Sequence, residues 1–264
     1  MTALTSAEWA GKRILVTGSG RGIGKGIARA FVAGGASVLL TARSAGELDA
    51  TRAEFAGLSG RTEALTLDLL PPGAAVRAVD EAVRLFGGLD VVVTNAGAAA
   101  QGGFLELPDE AWPEGFGLKM FANLRVIKGA WPHLKASRGS VVMIGGGTAR
   151  NPERHLALVS AVNGGQAALA KAVAEQGFLD GIQVNLIQPG TIRTVRRERL
   201  FAKLAGEQGV SPEEYAGQLT GKLRIPRVGE PADVANVVTF LCRPESRWIH
   251  GAVIDVDGGQ NKSV

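Results

Sequence analysis

Seven short aliphatic runs recur along the chain, each separated from the next by a stretch long enough for a helix: RILVTG, SVLLTAR, TEALTLDL, LDVVVTNAG, GSVVMIGGG, IQVNLIQPG and AVIDVDGG. Consecutive parallel strands need a crossover that packs back on the sheet, and a helix is what usually fills it, so this rhythm calls for βαβ units. The runs are apolar nearly throughout instead of alternating with polar residues, as in strands covered on both faces. The expected fold is α/β: one doubly wound parallel sheet of about seven strands with helices on both faces, forming a single domain over residues 1–264. A chain of this length fits one such unit.

Ligands of such sheets sit beyond the carboxyl ends of the strands, near the point where strand order reverses. The first run leads into VTGSGRGIGKGIARAFVAGG, which sets Gly18, Gly20, Gly22 and Gly24 before an amphipathic helix. Glycines let the backbone turn tightly against a pyrophosphate, and the N–H groups of a helix start favour its charge. The second run ends TARS, so Ala42 stands where an NAD site usually carries an acid, with Arg43 beside it and Arg21 in the glycine turn. NADP(H) is the expected cofactor and NAD(H) the alternative.

The net charge of +4 is spread over the whole chain without interleaved aromatic and basic residues, which argues against a nucleic-acid partner. One local cluster, Arg193, Arg196, Arg197 and Arg199, reads either as a solvated helix face or as a mouth for an anionic ligand. It opens a segment, residues 191–228, with helical pattern and no clear strand, the expected cover over the ligand crevice. The lone cysteine, Cys242, excludes an internal disulfide and is expected to be a buried structural thiol. No apolar run reaches the ~18 residues of a membrane span and the first residues lack a signal core, so a cytoplasmic location with no membrane partner is expected. No metal site is read from the sequence.

TGSGRGIG (17–24), LDL with Asp68, TNAG (94–97), QPGTIRT (188–194), PRVGEPADVANVVTFL and IDVDGG occur in this order over nearly the whole chain. Together they resemble the short-chain dehydrogenase/reductase family, whose domain is of the Rossmann type. The resemblance implies that Gly18, Ser19, Arg21, Gly22, Ile23, Gly24 and Arg43 hold the cofactor's phosphates. It puts Asp68 and Leu69 at the adenine, Asn95, Ala96 and Gly97 along the adenosine side, and Pro189, Gly190, Ile192 and Thr194 at the nicotinamide end. Read from the residues alone, Asp68 could equally cap a strand end and Asn95 tie two strands. The resemblance further implies a small-molecule substrate and a homo-oligomer, dimer or tetramer.

The catalytic half departs from that family. Its members use a tyrosine with a lysine four residues on, a serine at the preceding strand end and an asparagine on the helix before. The lysine cation lowers the tyrosine pKa, and the serine holds the carbonyl oxygen that receives the proton. Here the one tyrosine is Tyr215, and the residue four further on is Leu219. Counting along the resembling helix places Val159 and Asn163 at the tyrosine and lysine positions, Gly146 at the serine position and Lys119 at the asparagine position. A different register would bring in Asn123 or Ser160, but none creates a tyrosine.

The candidate catalytic residues are therefore Lys119, able to polarise a carbonyl or act as an acid when burial depresses its pKa; Thr148, the hydroxyl nearest the strand end; His155; and Asn163, a neutral stand-in able to bond the nicotinamide ribose. The expected function is an NADP-dependent oxidoreductase for a small carbonyl, alcohol or activated alkene, possessing an unusual proton donor and a substrate that is anionic if the arginine cluster faces it. The alternatives are a catalytically inactive dinucleotide-binding protein, acting as sensor or partner subunit, and a lyase or isomerase on the same fold.

Overall fold

The computed structural model describes residues 8–263. In chain order its elements are β1 Arg13–Thr17, α1 Gly22–Ala33, β2 Ser37–Ala42, α2 Ala45–Phe55, β3 Arg61–Thr66, α3 Ala74–Phe86, β4 Val91–Thr94, α4 Ala111–Phe116, α5 Asn123–Ser137, β5 Ser140–Ile144, α6 Ala157–Asp180, β6 Gln183–Pro189, α7 Val195–Gln208, α8 Pro212–Leu223, α9 Pro231–Leu241 and β7 Val253–Val256. Each aliphatic run has become one strand. All pair in parallel, in the order β3-β2-β1-β4-β5-β6-β7. The order reverses between β1 and β4, which opens a crevice at their carboxyl ends.

The two-residue period of the strands divides the core in two. Ile14, Val38, Leu40, Val93 and Val142 pack with Ile27, Phe31, Leu48 and Val238 of α1, α2 and α9. Leu15, Leu39, Val92, Val141 and Met143 point the other way, onto Ala78 of α3, Val126 and Ile127 of α5 and Ala170 of α6. In-register pairing of Ile14 with both Val38 and Val91 keeps these faces continuous across the crevice.

Residues 191–228, read as a cover, contain a helical hairpin. Thr194 caps α7 by accepting from the Arg197 N–H. Gly209, with φ of +67°, ends α7, and Ser211 and Glu214 close a reciprocal capping box at the start of α8, with Pro212 at its first position. Between α4 and α5 the backbone forms a π-helical turn over Gly117–Ala122. No helix among the described residues is long and apolar enough to cross a membrane.

Candidate active site

A cavity of about 380 Å³ lies at the carboxyl ends of β1, β2 and β4, lined by Gly18, Arg21, Gly22 and Ile23, by Ala42, Arg43 and Glu47, by Asp68 and Leu69, by Asn95 to Gly97 and by Thr194. No side chain caps α1 and no acid stands in its first turn, so the leading N–H groups of that helix are left for an anion. The turn above it is held tightly: a Cβ on Gly24 would stand 2.3 Å from the Gly18 carbonyl oxygen. These features suit a dinucleotide pyrophosphate.

Some of the residues expected at the cofactor also have scaffold roles. The Ser19 side chain is fully buried, donating to the Val16 carbonyl at 2.8 Å and accepting from the Thr41 N–H at 3.0 Å, so it braces the turn and does not line the cavity. Gly24 is likewise off the wall. The Ile192 side chain joins the core, leaving its backbone on the strand-like bridge to Gly229. Pro189 and Gly190 line the neighbouring cavity.

Asn95 ties two strands, as one of its readings has it, and stands on the cavity wall. It lines the cavity while its amide donates to the Thr17 and Gly18 carbonyls at 3.1 and 2.9 Å, tying the ends of β1 and β4. Asp68 is exposed and accepts from the Leu70 N–H at 3.0 Å, a local strand-end cap on the cavity wall. Glu47 escaped the sequence reading. It follows the helix-capping Ser44 by three residues, a spacing that marks the first turn of α2, and it pairs with Arg21 at 2.9 Å.

A second cavity, about 620 Å³, lies beyond β5 and β6 beneath α7 and α8. Lys119, Thr148, His155, Val159 and Asn163 all line it, so the structure brings together the residues found by counting. Lys119 rises from the π-helical turn, and its ammonium donates to Asn163 Oδ1; the Asn163 amide donates in turn to Thr148 Oγ1 at 2.7 Å. A lysine ammonium can only donate, which fixes the orientation of the asparagine. Each end of the Asn163 side chain thereby holds one partner, and the amide keeps a second N–H and a second lone pair for any ribose hydroxyl.

The arrangement depends on two missing side chains. A Cβ on Gly146 would stand 2.7 Å from Asn163 Nδ2, and one on Gly97 would stand 2.8 Å from Lys119 Cγ. Because Gly97 lines the first cavity, this contact is the seam between the two compartments. Burial, aided by the nearby Arg196 cation, pushes the Lys119 ammonium down to about 8.

The remaining alternatives separate clearly. Asn123 is buried and donates to the Lys119 carbonyl at 2.8 Å, so it supports the turn and does not reach the cavity. Ser160 is buried next to Val159 but lies off the wall. His155 is exposed in the loop before α6, 3.4 Å from Glu153. Tyr215 packs against Phe201 with ring centroids 5.6 Å apart and lines the second cavity from α8.

The arginine cluster is not one surface. Arg193 pairs with Glu230 at 3.0 Å, Arg196 lines the first cavity, Arg197 lines the second, and Arg199 is exposed. Cys242, expected to be buried, is partly exposed at the end of α9, and desolvation still pushes its thiol up to about 12, which disfavours the reactive thiolate.

A parallel sheet of this order, with a glycine turn at its switch point and a second compartment alongside, defines the architecture of a dinucleotide-dependent oxidoreductase. The model of the family described as enoyl-(acyl carrier protein) reductase matches residues 18–261, and the chain belongs to the short-chain dehydrogenase/reductase family. It is similar to L-fucose dehydrogenase of Bos taurus, 34% identical over 258 residues, covering 96% of this chain and 90% of that protein. Among solved structures, L-sorbose reductase from Gluconobacter frateurii complexed with NADPH and L-sorbose superposes with a TM-score of 0.92 at 28% identity, covering 98% of this chain and 99% of that one. A short-chain dehydrogenase from Burkholderia cenocepacia in complex with NADP gives 0.84 at 31% identity, covering 96% and 99%.

Proposed function

We propose that this chain is an NADP(H)-preferring oxidoreductase for a small carbonyl or alcohol substrate, with Lys119 as the proton donor in the reductive direction. The observation that carries the reading is the hydrogen-bonded chain Lys119–Asn163–Thr148 at the seam of the two cavities. Thr148 accepts from Asn163, so its own O–H is directed to another acceptor, and a substrate carbonyl oxygen in the second cavity would be one. The Lys119 ammonium, desolvated and lowered to about 8, is suited to give a proton to that oxygen. Asn163 holds both groups in place.

The first cavity's residues would hold the cofactor: Gly18, Arg21, Gly22 and Ile23 at the pyrophosphate, Asp68 and Leu69 at the adenine, Asn95 to Gly97 along the adenosine, and Thr194 with the backbone of Pro189 to Ile192 at the nicotinamide. Arg43 and Arg21, with no acid at Ala42, favour a 2′-phosphate, and two of the similar structures carry NADPH or NADP. A nicotinamide dinucleotide bound there supplies the hydride. The proton that completes the alcohol leaves Lys119 as a neutral amine, which recovers it from solvent.

The test is NADPH oxidation against a panel of small aldehydes and ketones, with wild type, Lys119→Met and Thr148→Val compared at neutral pH. Turnover by the wild type that falls steeply in both variants is the expected result. Undiminished turnover by Lys119→Met overturns its role. Tight NADPH binding with no turnover of any substrate would favour the inactive sensor or partner subunit.

A further inference from the structure

The second cavity holds a cation that the proposed chemistry leaves unused. Arg197 stands on α7 with Leu200, Phe201 and Leu204 at helical spacing, so one face of the helix presents a guanidinium beside an apolar wall. Among the described residues, no hydrogen bond or ion pair engages that guanidinium, whereas Arg193, Arg21 and Arg227 each have a carboxylate partner. Burial, with Arg196 alongside, lowers its pKa, which marks a group already stripped of much of its water. A desolvated, unpaired guanidinium is costly unless an anion arrives to meet it.

The other charged groups of the cavity are occupied or lie at its edge. Lys119 gives one N–H to Asn163 and is assigned to the substrate's carbonyl oxygen in the proposed chemistry, and Asp257 accepts from the Gly259 and Asn261 N–H groups at 2.9 and 2.7 Å. Glu153 and His155 are exposed neighbours, and Lys222 is exposed on α8. The N–H of Arg197 is taken by the Thr194 cap, so the start of α7 adds no donor at this residue.

From this geometry, and resting on the oxidoreductase reading, we infer that the substrate is an apolar oxo or hydroxy acid whose carboxylate pairs with Arg197 while its carbonyl or alcohol carbon lies beside Thr148 and Lys119. One guanidinium with an acid nearby matches a monoanion better than a doubly charged phosphate. Its planar fork fits the two oxygens of a carboxylate. Leu200, Phe201, Leu204, Leu219 and Leu223 give the body of such a molecule an apolar bed.

The deciding experiment measures binding and turnover separately. 2-Oxo-2-phenylacetate, 4-oxo-4-phenylbutanoate and 5-oxo-5-phenylpentanoate, each with its primary amide, are titrated by calorimetry into NADPH-saturated protein, and NADPH oxidation is followed in parallel. At least one acid should bind about ten- to a hundred-fold more tightly than its amide, the range of one charge-assisted hydrogen-bonded pair. In Arg197→Gln the acid and the amide should bind alike, and Arg197→Lys should retain part of the preference. Circular dichroism and melting confirm that both variants are folded; if the glutamine variant is not, the lysine variant decides, because an unaltered preference there excludes the planar fork. Equal binding of acid and amide to wild type, an undiminished preference in Arg197→Gln, or no acid binding at millimolar concentration overturns the inference. Preferential acid binding without NADPH oxidation keeps it and counts against the redox reading instead.

Discussion

Arg196 and Arg197 are neighbours on α7 and face different compartments, the first lining the cavity of the glycine turn and the second the cavity beneath α8. Of the two, Arg196 is the one whose charge bears on Lys119. Arg196 is one of the two causes of the lowered Lys119 pKa. Replacing it with Gln should raise the apparent pKa of the activity profile, by less than about one unit since burial is the larger cause. A pH series of kcat/KM on Arg196→Gln checks this; a downward shift contradicts it.

As the proposed proton donor, Lys119 must be protonated for reduction. The rate should therefore be flat at lower pH and fall tenfold per pH unit above about 8, where the ammonium loses its proton. Lys119→Met should lower kcat by at least about 100-fold and abolish that descending limb.

The same lysine links stability to pH. It titrates near 8 in the folded chain and near its ordinary 10.5 when unfolded. Below 8 both states hold the proton; between 8 and 10.5 only the unfolded state does, so stability rises with pH across that window. The gain has an upper limit of about 3 kcal/mol. Urea unfolding at pH 7, 8, 9 and 10 should show the wild type gaining on Lys119→Met as pH rises, and parallel curves would refute the linkage.

Cofactor choice should respond to the ion pair at the first cavity. Arg21 and Glu47 are both well exposed, so their pair contributes little to stability. Glu47→Gln should free Arg21 and tighten NADPH several-fold relative to NADH, and Arg43→Ser should weaken NADPH by about tenfold with little effect on NADH. Fluorescence titrations of the two nucleotides measure both ratios.

Gly146 has extended backbone that any residue can adopt, so Gly146→Ala isolates the steric contact with Asn163. The added methyl must push Asn163 from Thr148, at a cost of about 1 to 3 kcal/mol. Melting should drop by several degrees, and turnover should fall even at temperatures where the variant stays folded.

The sheet was legible because a strand covered on both faces writes its burial into consecutive residues, as in VVVT of β4 and SVVMI of β5. The residues of the first cavity were legible for a related reason: glycine turns and strand ends are local features. Counting also found Lys119, Thr148 and Asn163, but not that they bond to one another, since the Lys119–Asn163 contact spans 44 residues and depends on side-chain direction. The division of the arginines was hidden as well. Arg193, Arg196, Arg197 and Arg199 look alike in sequence, and only the placing of α7 over the seam sorts them. Glu47 was hidden by its role in the first turn of α2, where an acid needs no further reason.

The π-helical turn at Gly117–Ala122 contains one residue more than an α-helical turn would, and that surplus sets the direction of Lys119 relative to α5. One residue is worth about 100° around a helix axis. Loss of a single in-frame codon in this stretch would leave a more regular helix and turn the preceding residues away from the strand ends. A one-residue deletion could thus move the Lys119 amine away from Asn163 while making the secondary structure more regular.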